Sequence, residues 1–147
     1  MIHMKIFESS KKNLTIFERK EITSIFEDLK KASSDNKVKD AISLVKAKIK
    51  RLERSDNIYQ IALSNITKVL ISEVIEDPQS SFYMRRLALI SIAYLCDPYD
   101  VIPDSHPENG YIDDIYAFHL ALTEMEGLNG DCYQRIAAEF GRLESDS

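Results

Sequence analysis

The run Leu87-Ala-Leu-Ile-Ser-Ile-Ala-Tyr-Leu-Cys96 restricts what this chain can fold into, because Ser91 is its single polar side chain in ten residues. Asp77-Pro78 stops any helix upstream and Asp97-Pro98 stops one downstream. Between them lies room for a helix that starts at Ser80 or Ser81 and ends at Cys96. A helix that is apolar on every side belongs at the centre of a bundle, with other helices packed around it. Ten residues are about half of what a membrane-spanning helix requires, so the run reads as core.

The remaining pattern supplies the surrounding helices. Thr15-Ile16-Phe17-Glu18 is a capping box, and Ile22, Ile25, Phe26 and Leu29 follow at helical spacing, which predicts a helix over about 15–32. Val38, Ala41, Ile42, Val45, Ile49 and Leu52 form one stripe of a helix over 36–53. Ser55-Asp56 is read as the cap of a third helix that runs to about Glu76. After the apolar central helix, a fifth is expected from about Tyr111 to Glu126. Gly127 and Gly130 punctuate. Asp131-Cys132-Tyr133-Gln134 then resembles a second capping box for a sixth helix carrying Tyr133, Ile136, Ala137, Phe140 and Leu143. Ile2 to Phe7 is expected to be a short strand or an extended arm. With four Gly and four Pro in 147 residues, an all-β chain full of tight turns is disfavoured. The expectation is a single all-α domain over residues 1–147: about six helices in a compact bundle, a buried central helix and a Pro/Asp-rich loop.

Charge divides the chain. Residues 1–54 hold 14 Lys and Arg against 8 Asp and Glu, whereas residues 55–147 hold 5 against 16. Between Leu87 and Gln134 stand nine acids and no Lys or Arg. Such a field attracts cations or basic proteins and repels nucleic acid. The competing explanation is structural: basic N-terminal helices simply pack beside acidic C-terminal ones. The line Lys39, Lys46, Lys50 and Arg54 is read as a solvated helix face, because no aromatics interleave it. Cys96 and Cys132 make no disulfide framework, and Met1 to Phe7 lacks the apolar core of a signal peptide. Both features point to a cytoplasmic location without stable membrane insertion.

The loop after the central helix concentrates the unusual residues. Pro98, Pro103 and Pro107 stiffen it, Gly110 permits positive φ before the next helix, and Asp113 and Asp114 fall in that helix's first turn, where the macrodipole favours negative charge. Asp100 and Asp104 suit turn amides. Tyr94, Pro98, Asp100, Ile102, Pro103, Asp104, Pro107, Gly110, Asp113 and Asp114 together resemble the motif of the YkvA-like family of small bacterial domains of unknown function. The resemblance covers residues 82–122, and its spacings are fairly specific. It implies two helices clamped by a stiff loop, and no established activity. The chain departs from the family in being more polar at Ser105-His106 and Glu108-Asn109.

The same aspartates, with Asp97, are hard oxygen ligands suited to Mg²⁺ or Ca²⁺, but their order does not match the EF-hand loop. No zinc spacing, phosphate loop or nucleophile motif is present. His119, on an apolar stripe, reads as a core histidine, and His106 as a solvated loop residue. The expected function is therefore non-enzymatic, with no metal and no cofactor. The chain is read as an immunity-type protein that neutralises a basic toxin domain, such as a nuclease, through Asp97, Glu108, Glu124 and Glu126. Two other readings stay open: a YkvA-like regulatory domain acting near the membrane, and a metal-dependent hydrolase using the Asp cluster.

Overall fold

Thr15 and Glu18 satisfy each other's backbone amides. Thr15 Oγ1 accepts from Glu18 N at 3.1 Å, and Glu18 Oε1 accepts from Thr15 N at 2.8 Å. This reciprocal cap starts the first long helix where the sequence places it. The computed structural model describes residues 5–31, 36–96 and 111–145. Among them are seven α-helices: α1 (Lys5–Asn13), α2 (Ile16–Lys31), α3 (Asn36–Leu52), α4 (Ile58–Leu70, continued by a π-helical turn at Ile71–Ile75), α5 (Phe82–Cys96), α6 (Ile112–Leu128) and α7 (Gly130–Ser145). No strand occurs among the described residues. Removing the Thr15 hydroxyl by Thr15→Ala should cost about 0.5–2 kcal/mol, read as a lower urea midpoint. An unchanged midpoint would mean that the cap contributes nothing.

The count is seven because Lys5–Asn13 is helical, so Lys5 to Phe7 are neither strand nor extended arm; the rest of the segment expected to be one, residues 2–4, lies outside the described residues. α1 buries Phe7 and Ser10. Phe7 packs 6.2 Å from the Phe140 ring, so tertiary contact stabilises a nine-residue helix too short to persist alone.

Two caps also lie elsewhere than expected. Asn57, not Ser55 or Asp56, caps α4: its Oδ1 accepts from Tyr59 N at 2.8 Å and from Gln60 N at 3.3 Å. Ser55 instead accepts from the Asn57 amide. Asn129, not Asp131, caps α7, accepting from Cys132 N at 3.1 Å. Gly127 belongs to the last turn of α6 and Gly130 begins α7, so the chain turns at the single extended residue Asn129.

α5 occupies the centre, packing on α2, α3 and α6 and on the π turn, and Ile90 through Leu95 are all buried. α6 is just as enclosed. It packs on α1, α2, α4, α5 and α7, and Ile112 through Phe118 form an unbroken buried stretch. The core therefore has two central helices. The continuous helix Ile58–Ile75 has the length and mean hydropathy, 1.2, of a membrane span, and half of it is buried against the rest of the bundle.

The basic N-terminal helices act inside this architecture. Lys48 Nζ donates to the Leu95 carbonyl at 2.6 Å, in the last turn of α5, where a cation opposes the negative end of the dipole. The same amine lies 5.8 Å from the Tyr111 ring centroid. The Arg86 guanidinium donates to the Lys30 carbonyl in the last turn of α2. Lys48 thus ties the basic half to the acidic half, whereas Arg86 belongs to α5 and caps in the opposite direction.

Candidate functional site

The first turn of α6 carries two adjacent carboxylates with no exposure at all, Asp113 and Asp114. A buried carboxylate is costly unless donors or positive potential surround it. The helix start supplies part of that potential through its oriented amides. α5 supplies a donor: Tyr94, itself 1% exposed, gives its hydroxyl hydrogen to Asp113 Oδ2 at 3.2 Å. The phenol sits in a small cluster with Leu14, Ile22, Ile112, Tyr116 and Ala117, so the polar contact is sealed by apolar packing from α2 and α6. Such an arrangement locks α5 to α6. With no exposed surface, neither carboxylate can meet a partner protein.

Of the other motif residues, Pro98, Asp100, Ile102, Pro103, Asp104, Pro107 and Gly110 lie outside the described residues, as do Asp97, Glu108 and His106. Among the described residues no group of three or more His, Cys, Asp or Glu side chains could hold a metal ion.

Glu124 and Glu126 stand near the end of α6, and their settings differ. Glu124 accepts from Lys30 Nζ at 2.6 Å and from the Tyr83 hydroxyl at 3.4 Å. Burial works against the Lys30 ammonium, but hydrogen bonds to Glu124 and Glu27 outweigh it and raise its pKa. Beside this pair, α2 and α5 enclose a cleft of about 260 Å³ lined by Glu27, Lys30, Lys31, Tyr83 and Arg86. Leu87 and Ile90 complete its lining, so three cations, one acid and three apolar or aromatic side chains share the cleft next to Glu124's partner Lys30. Its anchors, Lys30 and Tyr83, are 94 and 41 residues away in the chain, and no local pattern marks them. Glu126 is half-buried, with Asp131 exposed beyond it at the start of α7.

His119 is half-buried, its ring 6.1 Å from Phe7 and 5.8 Å from Tyr116. Burial depresses its pKa, Lys11 adds to the effect and Glu8 opposes it. Cys132 is buried, and that burial pushes its thiol up; Arg135 pulls the other way while Asp77 and Glu73 reinforce the rise. Such a thiol is a poor nucleophile at neutral pH.

A family model described as a protein of unknown function (DUF1232) matches residues 84–120, about a quarter of the chain. The match takes in most of α5 and the first half of α6, with Tyr94, Asp113 and Asp114. No curated protein and no solved structure matches the chain.

Proposed function

We propose that this chain is a non-enzymatic binding protein of the immunity type, which neutralises a basic toxic enzyme in the cytoplasm by occupying its cationic surface. The observation that carries the reading is the stretch from Leu87 to Gln134, with nine acids and no Lys or Arg. Enzymes that cleave nucleic acid must present basic clefts, and an acidic surface complements them and speeds encounter. The YkvA-like resemblance fits a scaffold in which Tyr94, Asp113 and Asp114 hold two helices together and leave the contact to other acids. Asp113 and Asp114 are enclosed and Glu124 is engaged by Lys30, so the reading rests the contact on Asp97, Glu108 and Glu126, and adds the exposed Asp131.

The test is capture of the partner from native cells, followed by association kinetics. Reversing Glu108 and Glu126 to Lys together should slow association at least tenfold with little change in helicity, and rising salt should slow the wild type as well, since exposed charges are screened beyond roughly 10 Å at 0.1 M. Glu124 is left intact in this experiment because its reversal would also break the Lys30 pair. A partner held through Lys39 to Arg54, or a double variant that associates as fast as wild type, would refute the assignment.

A further inference from the structure

The corner between α1 and α2 turns two large apolar side chains into solvent. Ile16 is 59% and Phe17 82% exposed. Leu14, two residues earlier, is buried among Ile22, Tyr94, Ile112 and Tyr116 and anchors the corner from beneath. Leu14 thus holds the corner to the bundle while Ile16 and Phe17 stand in solvent. Cations flank it on both sides: Lys11, Lys12 and Lys20 are exposed and Arg19 is half-buried. None of the four makes an ion pair among the described residues. Glu18, the one acid between residues 11 and 20, is occupied by the capping box. Glu18 keeps its charge in that cap, and with Glu21, one turn beyond Phe17, it subtracts two charges from the four cations of residues 11–21 and leaves an excess of two.

Beside the corner, Ile16, Arg19, Lys20, Thr23 and Tyr116 line a shallow cavity of about 290 Å³. Two of its walls are apolar and two are cationic, which suits a phosphate group attached to something apolar. Arg19 Nε is buried and meets no hydrogen-bond acceptor among the described residues.

We propose that the α1–α2 corner docks on an anionic membrane surface. Ile16 and Phe17 enter the boundary between headgroups and acyl chains, while Lys11, Lys12, Arg19 and Lys20 lie against lipid phosphates. Shape decides between a bilayer and an acidic protein. A protruding phenyl ring needs a preformed socket in a folded partner, whereas lipid opens around it. The net charge of −5 does not forbid the contact, because charges farther than about 8 Å from the surface are screened at physiological salt. The proposal uses none of the acids assigned to the toxin contact and does not depend on that reading.

The experiment is co-sedimentation of the full chain with vesicles of equal parts phosphatidylglycerol and phosphatidylcholine, beside vesicles of phosphatidylcholine alone. Sedimentation with the anionic vesicles and not the neutral ones is expected. Each cation removed should weaken binding about fivefold, so Lys12→Ala with Lys20→Ala should weaken it about 25-fold. Phe17→Ser should weaken it about tenfold. Phe82→Ser, at a side chain 78% exposed at the start of α5, should bind as wild type. These side chains are exposed, and unchanged circular dichroism confirms that the variants fold. No binding to anionic vesicles, equal binding to neutral ones, or a Phe17→Ser variant that binds normally would overturn the proposal. So would capture by polyglutamate that ignores Phe17→Ser, which would point to an acidic protein.

Discussion

Phe118→Ala should lower the free energy of unfolding by about 3–5 kcal/mol, the largest effect expected from a single substitution in this chain. Phe118 has no exposure and sits in the enclosed half of α6, in the main core that α5 also forms. Truncation removes the ring's transfer energy and leaves a cavity that two central helices cannot close without moving together. A domain of this size is stable by only about 5–15 kcal/mol, so the loss is a large part of the total. The melting temperature should fall by about 2–4 °C for each kcal/mol lost. The control is chemically identical: Phe17→Ala deletes the same ring from a position 82% exposed and should change stability by no more than about 0.5 kcal/mol. Equal losses at the two sites, measured by urea denaturation, would mean that α6 is not the core helix described here.

The second large effect belongs to the contact between α5 and α6. Asp113→Ala removes an acceptor of the buried Tyr94 hydroxyl, and Tyr94→Phe removes a donor to a buried carboxylate. Either change leaves a buried polar group short of a partner and should cost about 1–3 kcal/mol. The double variant should cost less than the sum of the two, because once one partner has gone the other has less to lose. A double-mutant cycle in urea measures the difference. Strict additivity would show that the two groups do not interact, and the clamp would then rest on apolar packing alone.

The reading of the candidate site from sequence was uneven, and the reason is distance along the chain. Asp113 and Asp114 could be placed in the first turn of a helix because the helix start is a local event. Their complete burial could not, because two adjacent acids in a segment without Lys or Arg look like a solvated face. That burial arises only when α5 brings Tyr94 to Asp113 and the other helices pack on α6. Glu124 was legible as an acid on a helix that could meet a partner. That Lys30 and Tyr83 hold it depends on α2 and α5 arriving beside it.

The fold divides along the same line. Sequence by itself determined the all-helical class, the capping box at Thr15 and Glu18, the extent of α2 and α3 and the burial of α5. Each follows from side chains three or four positions apart, or from the absence of any polar face, so the chemistry acts within one turn of helix. Tertiary structure decided that Lys5–Asn13 is a helix, since Phe7 gains its apolar surroundings from α6 and α7. It decided that α6 shares the centre with α5, and that Lys48 and Arg86 cap helices to which they do not belong. These outcomes rest on contacts between residues dozens of positions apart. A local pattern carries no information about which distant carbonyl, ring or carboxylate packing will bring within reach.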